Sequence, residues 1–365
     1  MYHRRSLLRN AIVSWSSDGR VAGVEVPGNV DACAGVEFYN GILVPDFVNA
    51  HCHLELSYLK GAIPQGGGFT AFARGMGEVR GLKGPEERQL AAAEADRRMW
   101  RQGIGGDSSF AVKADSPVDY LSFLELFGLG ASSARGLEPL VRRAEACGLP
   151  CTVTPHATYS LQDAAFRSAV ASGTGPLSVH FMESPAEREL FEGRGELAAW
   201  YAQRGTAIDF AEYGSPAMRI TASVPPGRDI LLVHNCCVTQ EDVERIEAHF
   251  TGRVTWVLCP CSNRYISRLS PPVGLLRGKG VRIAVGTDSL ASNTALDMVA
   301  ELRALGDVPL EELLAWATGN GAQALGMEER LGGFEAGSRS GAVLLSGLDW
   351  GNMRLTEDSR AERLL

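Results

Sequence analysis

Three observations predict an α/β chain of the TIM-barrel, (β/α)8, class. Short apolar bursts alternate with helix-like stretches over most of the 365 residues, the pattern of parallel strands joined by helical crossovers. Eight such bursts are present, the number a closed barrel needs. Five of the seven histidines stand at or just beyond the C-terminal ends of bursts, on the face where the loops of such a barrel open onto its active site.

In chain order, the first burst runs from Gly41 to Asn49 and on into His51. The second lies around Ile104 to Ser108 and the third spans Tyr120 to Phe127. The fourth, Cys151 to Thr154, ends at His156; the fifth, Leu177 to Val179, ends at His180; the sixth, Ile230 to Val233, ends at His234. Val254 to Leu258 is the seventh, and Val281 to Val285, leading to Asp288, is the eighth. Between them, Glu86 to Arg101 reads as a helix because it is Ala-rich and follows Pro85, a favourable first-turn residue. Glu138 to Cys147 is expected to be a helix ending at Gly148 as its C-cap. Pro185 to Arg194, Glu196 to Gln203 and Leu310 to Thr318 are further helices, and Thr239 to His249 opens with a capping-box-like Thr239-x-x-Asp242.

The chain is longer than the ~250 residues of a bare barrel. Its two ends fit the alternation poorly and carry short β-like pieces: Ala11 to Ser14, Val21 to Val26 and Ala342 to Leu345. The expected division is a small β domain formed from both chain ends, residues 1–45 plus 336–365, and a barrel over residues 46–335.

Composition bounds the function classes. Apolar residues at 45% and charged residues at 21% describe a chain with a large core rather than a disordered one. A net charge of −8 and a pI near 5.5 leave no basic footprint for nucleic acid or anionic lipid. No apolar run approaches the ~18 residues of a transmembrane helix. Arg4, Arg5 and Arg9 are not followed by an apolar core of signal-peptide length, because Trp15 to Gly19 interrupts it. The expectation is a cytoplasmic protein with a small-molecule partner and neither nucleic acid nor membrane; a homo-oligomer is compatible with a sequence that carries no mark of assembly. The eight cysteines are too sparse for a disulfide scaffold, and Cys236-Cys237 and Cys259-Pro260-Cys261 lack Cys-x-x-Cys spacing, so they are read as buried free thiols.

His51-Cys52-His53 is the sharpest local signal. Two histidines at i and i+2 on an extended strand point to the same side and can ligate one ion. With His180 and Asp288 they make three imidazoles and one carboxylate, a set suited to a single divalent ion, Zn²⁺ or alternatively Fe²⁺, with a position left for water. Glu183, in His180-Phe181-Met182-Glu183, lies in the loop after the fifth burst and faces either substrate or, as an ordinary surface carboxylate, solvent. His234 is a further ligand or a proton-handling neighbour; His156 touches substrate or is structural. His3 and His249 fall outside the pattern and read as surface residues.

These residues resemble the amidohydrolase superfamily, and within it the deaminase/chlorohydrolase branch. Pro45-Asp-Phe-Val-Asn-Ala-His-Cys-His-Leu-Glu-Leu-Ser57 is similar to that branch's opening motif and Gly286-Thr-Asp-Ser-Leu-Ala-Ser-Asn293 to its strand-eight motif. His180-x-x-Glu183, Val233-His234 and Cys259-Pro-Cys-Ser-Asn263 fall between them in the expected order, and Thr318-Gly-Asn-Gly-Ala322 and the Gly-rich segment near Gly332 look like its ending. The resemblance implies metal ligands at His51, His53, His180 and Asp288, an acid/base Glu183, a water-activating His234 and a substrate-contacting His156. Asp288 would also join His234 in taking the water's proton. Binuclear relatives use a bridging carboxylated lysine; Lys60, Lys83, Lys113 and Lys279 do not end strand three or four, which implies one metal. The β piece after Gly341 is short for the family. The His-x-Glu with Pro-Cys-x-x-Cys pattern of other zinc deaminases and the His-Glu-x-x-His protease helix are absent.

The function so implied is replacement of an exocyclic amino group of a purine, nucleoside-like or related N-heterocycle by a carbonyl, with release of ammonia. Alternatives at the same site are cyclic-amide hydrolysis and hydrolytic dechlorination. A non-catalytic metal-binding protein is a third reading, against which the intact Glu183, His234 and Asp288 argue. Leu59 to Arg80, with Gly66-Gly-Gly68, Phe69 and Phe72, either covers the pocket or forms a surface loop; Asn263, Arg264 and Ser289 are near the same face.

Overall fold

Side-chain alternation along each parallel strand decides what fills the barrel and what covers it. The computed structural model describes residues 1–29, 35–109, 115–130, 138–139, 142, 145–146 and 150–365. Most of the helix expected from Glu138 to Cys147, together with Cys33, Lys113 and Gly148, lies outside the described residues.

Five strands precede the barrel: β1 (Tyr2–His3), β2 (Ser6–Leu7), β3 (Ile12–Trp15), β4 (Val21–Glu25) and β5 (Ile42–Pro45). The barrel is built from β6 (Phe47–Cys52), β7 (Ile104–Ser109), a third strand in two pieces, β8 (Asp119–Tyr120) and β9 (Ser122–Leu126), then β10 (Cys151–Pro155), β11 (Leu177–Phe181), β12 (Ile230–His234), β13 (Val254–Leu258) and β14 (Ile283–Val285). Parallel ladders join β6 to β7, β7 to β8, β9 to β10, and β11 through β14 in succession. Between β10 and β11 a side chain takes over the ladder: the Thr154 hydroxyl donates to Ser178 O at 2.7 Å and accepts from Ser178 N at 2.9 Å.

The last seam, between the end of β14 and β6, runs through the residues of interest. Thr287 N and Asp288 N both donate to His51 O at 3.0 Å, and His53 N donates to Asp288 O at 3.3 Å. The Asn49 amide clasps Thr287, donating to its hydroxyl at 2.8 Å and accepting from its N–H at 3.0 Å. So close an approach needs glycine at 286: a Cβ there would stand 2.8 Å from His51 N, O and Cβ.

Inward residues Val48, Ala50, Phe123, Leu231, Val233, Val257 and Ala284 form one cluster that plugs the barrel beneath the site, with Ala322, Leu325, Met327 and Leu331 packed on it. Their strand neighbours, among them Ile230, Leu232, Trp256, Leu258, Ile283 and Val285, belong to the larger cluster shared with the helices. Helix α1 (Phe69–Val79) and helix α2 (Pro85–Arg101) follow β6. The capping box at Thr239 and Asp242 is formed, starting the helix Gln240–His249.

Four expectations need correction. The first burst is two strands, not one: β5 pairs antiparallel with β15 (Ala342–Asp349), whereas β6 enters the barrel. The chain changes sheets at Pro45-Asp46, where the buried Asp46 carboxylate accepts from Gly341 N at 2.9 Å and pairs with Arg363 at 2.8 Å. The C-terminal β piece is a full hairpin, since β15 pairs with the ten-residue β16 (Arg354–Arg363), and with β5 it makes one three-stranded sheet, while β1 pairs with β2 and β3 with β4. Of the two alternatives for the 59–80 segment the pocket-covering one holds: the segment carries helix α1, whose Phe69 and Phe72 line the cavity at the barrel mouth. His249 is half-buried, bonded through Nε2 to Val224 O at 2.9 Å, rather than a free surface residue. The cysteine reading is corrected in part: among the described residues six cysteines are free, as expected, but of these only Cys52 and Cys259 are fully buried. Among the described residues no helix is long and apolar enough to cross a membrane.

Gly286→Ala is expected to force strand eight off His51, costing about 1–3 kcal/mol of stability and weakening metal binding at the same time. Thermal melts and metal titration read the two together; an unchanged Tm and affinity would mean that the seam tolerates the methyl group.

Candidate metal centre and active site

The barrel delivers its polar residues to one mouth. His51 is near the end of β6 and His53 follows it, His180 lies in β11, and Asp288 sits three residues past β14. All four are buried, and one donor atom from each falls within 4.8 Å of the others. His51 Nε2 stands 3.7 Å and His53 Nε2 4.0 Å from Asp288 Oδ1, and the Nε2 atoms of His53 and His180 are 3.4 Å apart.

Hydrogen bonds outside this ring turn the lone pairs inward. His53 Nδ1 bonds Glu55 Oε1 at 3.0 Å and His180 Nδ1 donates to His156 O at 2.8 Å, which leaves each Nε2 free to ligate. Asp288 Oδ2 accepts from the hydroxyls of Ser262 at 2.5 Å and Ser292 at 2.7 Å. His51 Nε2 is buried without a hydrogen-bond partner, a loss of about 1–3 kcal/mol for a polar atom that a cation among these donors would remove. The donor set fits one divalent metal ion.

The protonation pattern agrees. Burial lowers the pKa of His51 and takes that of His180 well below its ordinary value. Burial alone would raise Asp288, but the imidazoles of His51, His234 and His53 outweigh it and hold the carboxylate well below its usual range. His53 is the exception: burial would lower it, yet Glu125 and Glu55 push it up to about 10. A proton on His53 thus balances carboxylates that a dication would otherwise balance.

Glu183 and His234 stand beside the cluster, with His234 Nε2 3.9 Å from Glu183 Oε1. Burial first, then repulsion from Asp288 and Glu187, raises the Glu183 carboxyl well above its ordinary pKa. Burial takes His234 down to about 3, so it is neutral at pH 7. Its Nδ1 is met by Asn263 Nδ2 at 2.9 Å, which places the ring proton on Nε2, facing the cavity without a partner. His156 lies one residue beyond β10, its ring stacked on His180 at 4.3 Å between centres and its Nδ1 3.2 Å from Ser160 Oγ. It lines the cavity and also braces His180 through its carbonyl. Met182, His234 and Asp288 all have left-handed φ, at 51°, 80° and 55°, so the backbone is strained at three of the strand ends that carry the site.

Two carboxylates were not anticipated. Glu125, inward-facing on β9 with Phe123, places Oε1 3.8 Å from both His53 Nε2 and His180 Nδ1. It lies near the end of strand three, and a lone carboxylate in an otherwise apolar burst is the only mark the sequence gives of it. Glu187, buried in the next helix turn, accepts from Glu183 N at 3.2 Å and from the Thr158 hydroxyl, tying the Glu183 turn to the His156 loop. Of the three residues left open, Asn263 meets His234, Ser289 lines the cavity, and Arg264 turns away to Ala304 O. The cavity over the cluster has a volume of about 1090 Å³ and is walled by Phe69, Phe72, Phe127, Tyr159 and Trp200.

Fold and donor set together define a class of protein: a (β/α)8 barrel with a His-x-His, His, Asp metal centre at its mouth. Within that class the chain belongs to the amidohydrolase family, whose model matches residues 139–359. An adenosine deaminase of Helicobacter pylori is 28% identical over 334 residues, covering 83% of this chain and 78% of the relative. A 5-methylthioadenosine/S-adenosylhomocysteine deaminase of Desulforudis audaxviator is 26% identical over 351 residues, 87% of this chain and 76% of the relative. The crystal structure of Helicobacter pylori aminofutalosine deaminase with methylthio-coformycin superposes with a TM-score of 0.81 at 23% identity, over 98% of this chain and 96% of that one, and supports the barrel fold.

Because each ligand must be deprotonated to bind, metal loading is expected to displace the His53 proton. Below a pKa of about 10 that proton is present, so affinity should rise with pH by about tenfold per unit across the neutral range. Calorimetric titration in buffers of differing ionisation enthalpy should report about one proton released per ion; no release would contradict the arrangement.

Proposed function

We propose that the protein is a metal-dependent aminohydrolase that replaces the exocyclic amino group of an adenine-type or related N-heterocyclic nucleoside by a carbonyl. The observation that carries this reading is a buried Glu183, its carboxyl pushed well above its ordinary pKa by burial, facing the same cavity as His234 and the four-donor cluster. The relatives' activities agree with it. His51, His53, His180 and Asp288 hold the ion, and Zn²⁺ suits three imidazoles and one carboxylate. The ion supplies the positive charge that makes water nucleophilic near neutral pH.

The protein's own groups do the rest. Glu183 gives its proton to the ring nitrogen beside the carbon under attack. Asp288, held ionised, takes a proton from the water, and the Nε2–H of His234 donates to the oxygen being added. In this arrangement His234 steadies the oxygen as a donor instead of sharing the base role with Asp288. Asp288 then passes its proton to the amine, which leaves as ammonia. Glu183 recovers a proton from the hydroxyl as the carbonyl forms, so no proton is gained or lost. Glu187 holds the Glu183 turn in place, and the aromatic walls exclude water and stack on the heterocycle.

Ammonia release from adenine-type nucleosides by metal-loaded protein tests the proposal. Glu183→Gln should keep its metal and lose about 10²–10⁴-fold in kcat. Since Glu183 acts protonated and its pKa is raised, kcat/KM should hold at neutral pH and fall on the alkaline side, with Glu183→Gln lacking that limb. Near-normal turnover in Glu183→Gln would overturn the assignment. Asn263→Asp, which would accept from His234 Nδ1–H and reverse the tautomer, should lower kcat about 10²-fold or more with metal content unchanged.

A further inference from the structure

The cavity is larger than its chemistry at the metal end requires. At about 1090 Å³ it lies just above the ~300–1,000 Å³ range of sites that hold whole drug-sized ligands. Its far wall is built by α1 and by the helix Gly195–Gln203, and there the lining changes character. Arg74 and Arg204 flank one indole, with guanidinium carbons 5.8 and 5.6 Å from the Trp200 ring centre. Arg80 lies 4.7 Å over the Phe127 ring on the same rim.

None of these three arginines forms an ion pair with a carboxylate among the described residues, although Arg194 near the same helix is paired with both Glu189 and Glu192. The cavity's acidic groups are divided. Glu125, Glu183 and Asp288 sit at the metal end, and Glu78, one turn along α1 from Arg74, stands alone among the arginines. The rim therefore carries net positive charge in a chain of net charge −8. A guanidinium stacked on an aromatic face keeps its N–H edges free, in the fork geometry that matches a carboxylate or phosphate. The charge of Arg80 also reaches Glu125 and His156 inside the cavity.

We propose that the Arg74–Trp200–Arg204 rim, with Arg80, is a subsite for an oxyanion carried at the sugar end of the substrate, so that the protein takes an anionic nucleoside rather than a bare base or a neutral nucleoside. This rests on the aminohydrolase reading, in that the heterocycle occupies the metal end while the substituent reaches the rim.

The test compares adenosine, 5′-methylthioadenosine, adenosine 5′-carboxylic acid and AMP on the metal-loaded full chain. Both kcat/KM for ammonia release and Kd by calorimetry are measured, at low salt and at about 0.5 M NaCl. At low salt an anionic member is expected to exceed both neutral ones by about tenfold or more, and the advantage should shrink at high salt. In the Arg74→Ala/Arg204→Ala variant the anionic-to-neutral ratio should fall towards one. The carboxylate and AMP arms tell which oxyanion fits. Equal values for neutral and anionic members, or a preference that the double variant leaves intact, would overturn the subsite. If no member released ammonia, the reaction proposed above would fail, and the Kd ratios would still decide the rim by the same criterion.

Discussion

The backbone contact between strand eight and strand one is the constraint on which the site depends. Thr287 and Asp288 both donate to the His51 carbonyl, and Asp288 accepts from His53 N. The bonds that close the barrel are therefore the bonds that set three of the four ligands. Gly286 admits the approach, and Asn49 locks Thr287 from the inside. A displacement of a few tenths of an ångström at this seam would be felt at once in the donor geometry, because no loop intervenes to absorb it.

Charge is the second constraint. Four carboxylates, those of Glu55, Glu125, Glu183 and Asp288, surround a cluster of imidazoles in a buried space. Without a cation the balance is met by a proton on His53 and by keeping Glu183 neutral. A dication would make the His53 proton unnecessary and leave the one on Glu183, which is the proton the proposed mechanism uses. The positions of Glu55, against His53 Nδ1, and of the His156 carbonyl, against His180 Nδ1, give the rings their orientation.

What could be read in the sequence follows from how locally each feature is encoded. The proposed ligands, with Glu183 and His234, could be singled out because strand ends are marked by short apolar bursts and the residues follow them directly, and the structure brings them to one mouth. Glu125 could not be, since a single carboxylate inside an apolar burst has no period to distinguish it until the strand's inward face is known. Glu187 was missed because its effect passes through backbone N–H and a threonine hydroxyl on another loop. Helix α1 was hidden by Gly75 and Gly77, poor helix formers; Gly75 is there because Ile63 packs 3.3 Å from where its Cβ would be. The strand β16 lacks apolar alternation because it is a mostly solvated edge, rich in charge, and β5 and β6 look like one strand because apolar residues run on either side of Pro45, the break at which the chain changes sheets.

The central claim is that one ion sits among His51, His53, His180 and Asp288. Elemental analysis of the purified protein combined with an anomalous difference map at the zinc edge measures it directly. The account requires close to one ion per chain and a single anomalous peak bounded by those four side chains. No peak there, or a second peak of similar height between Glu125 and His156, would contradict it.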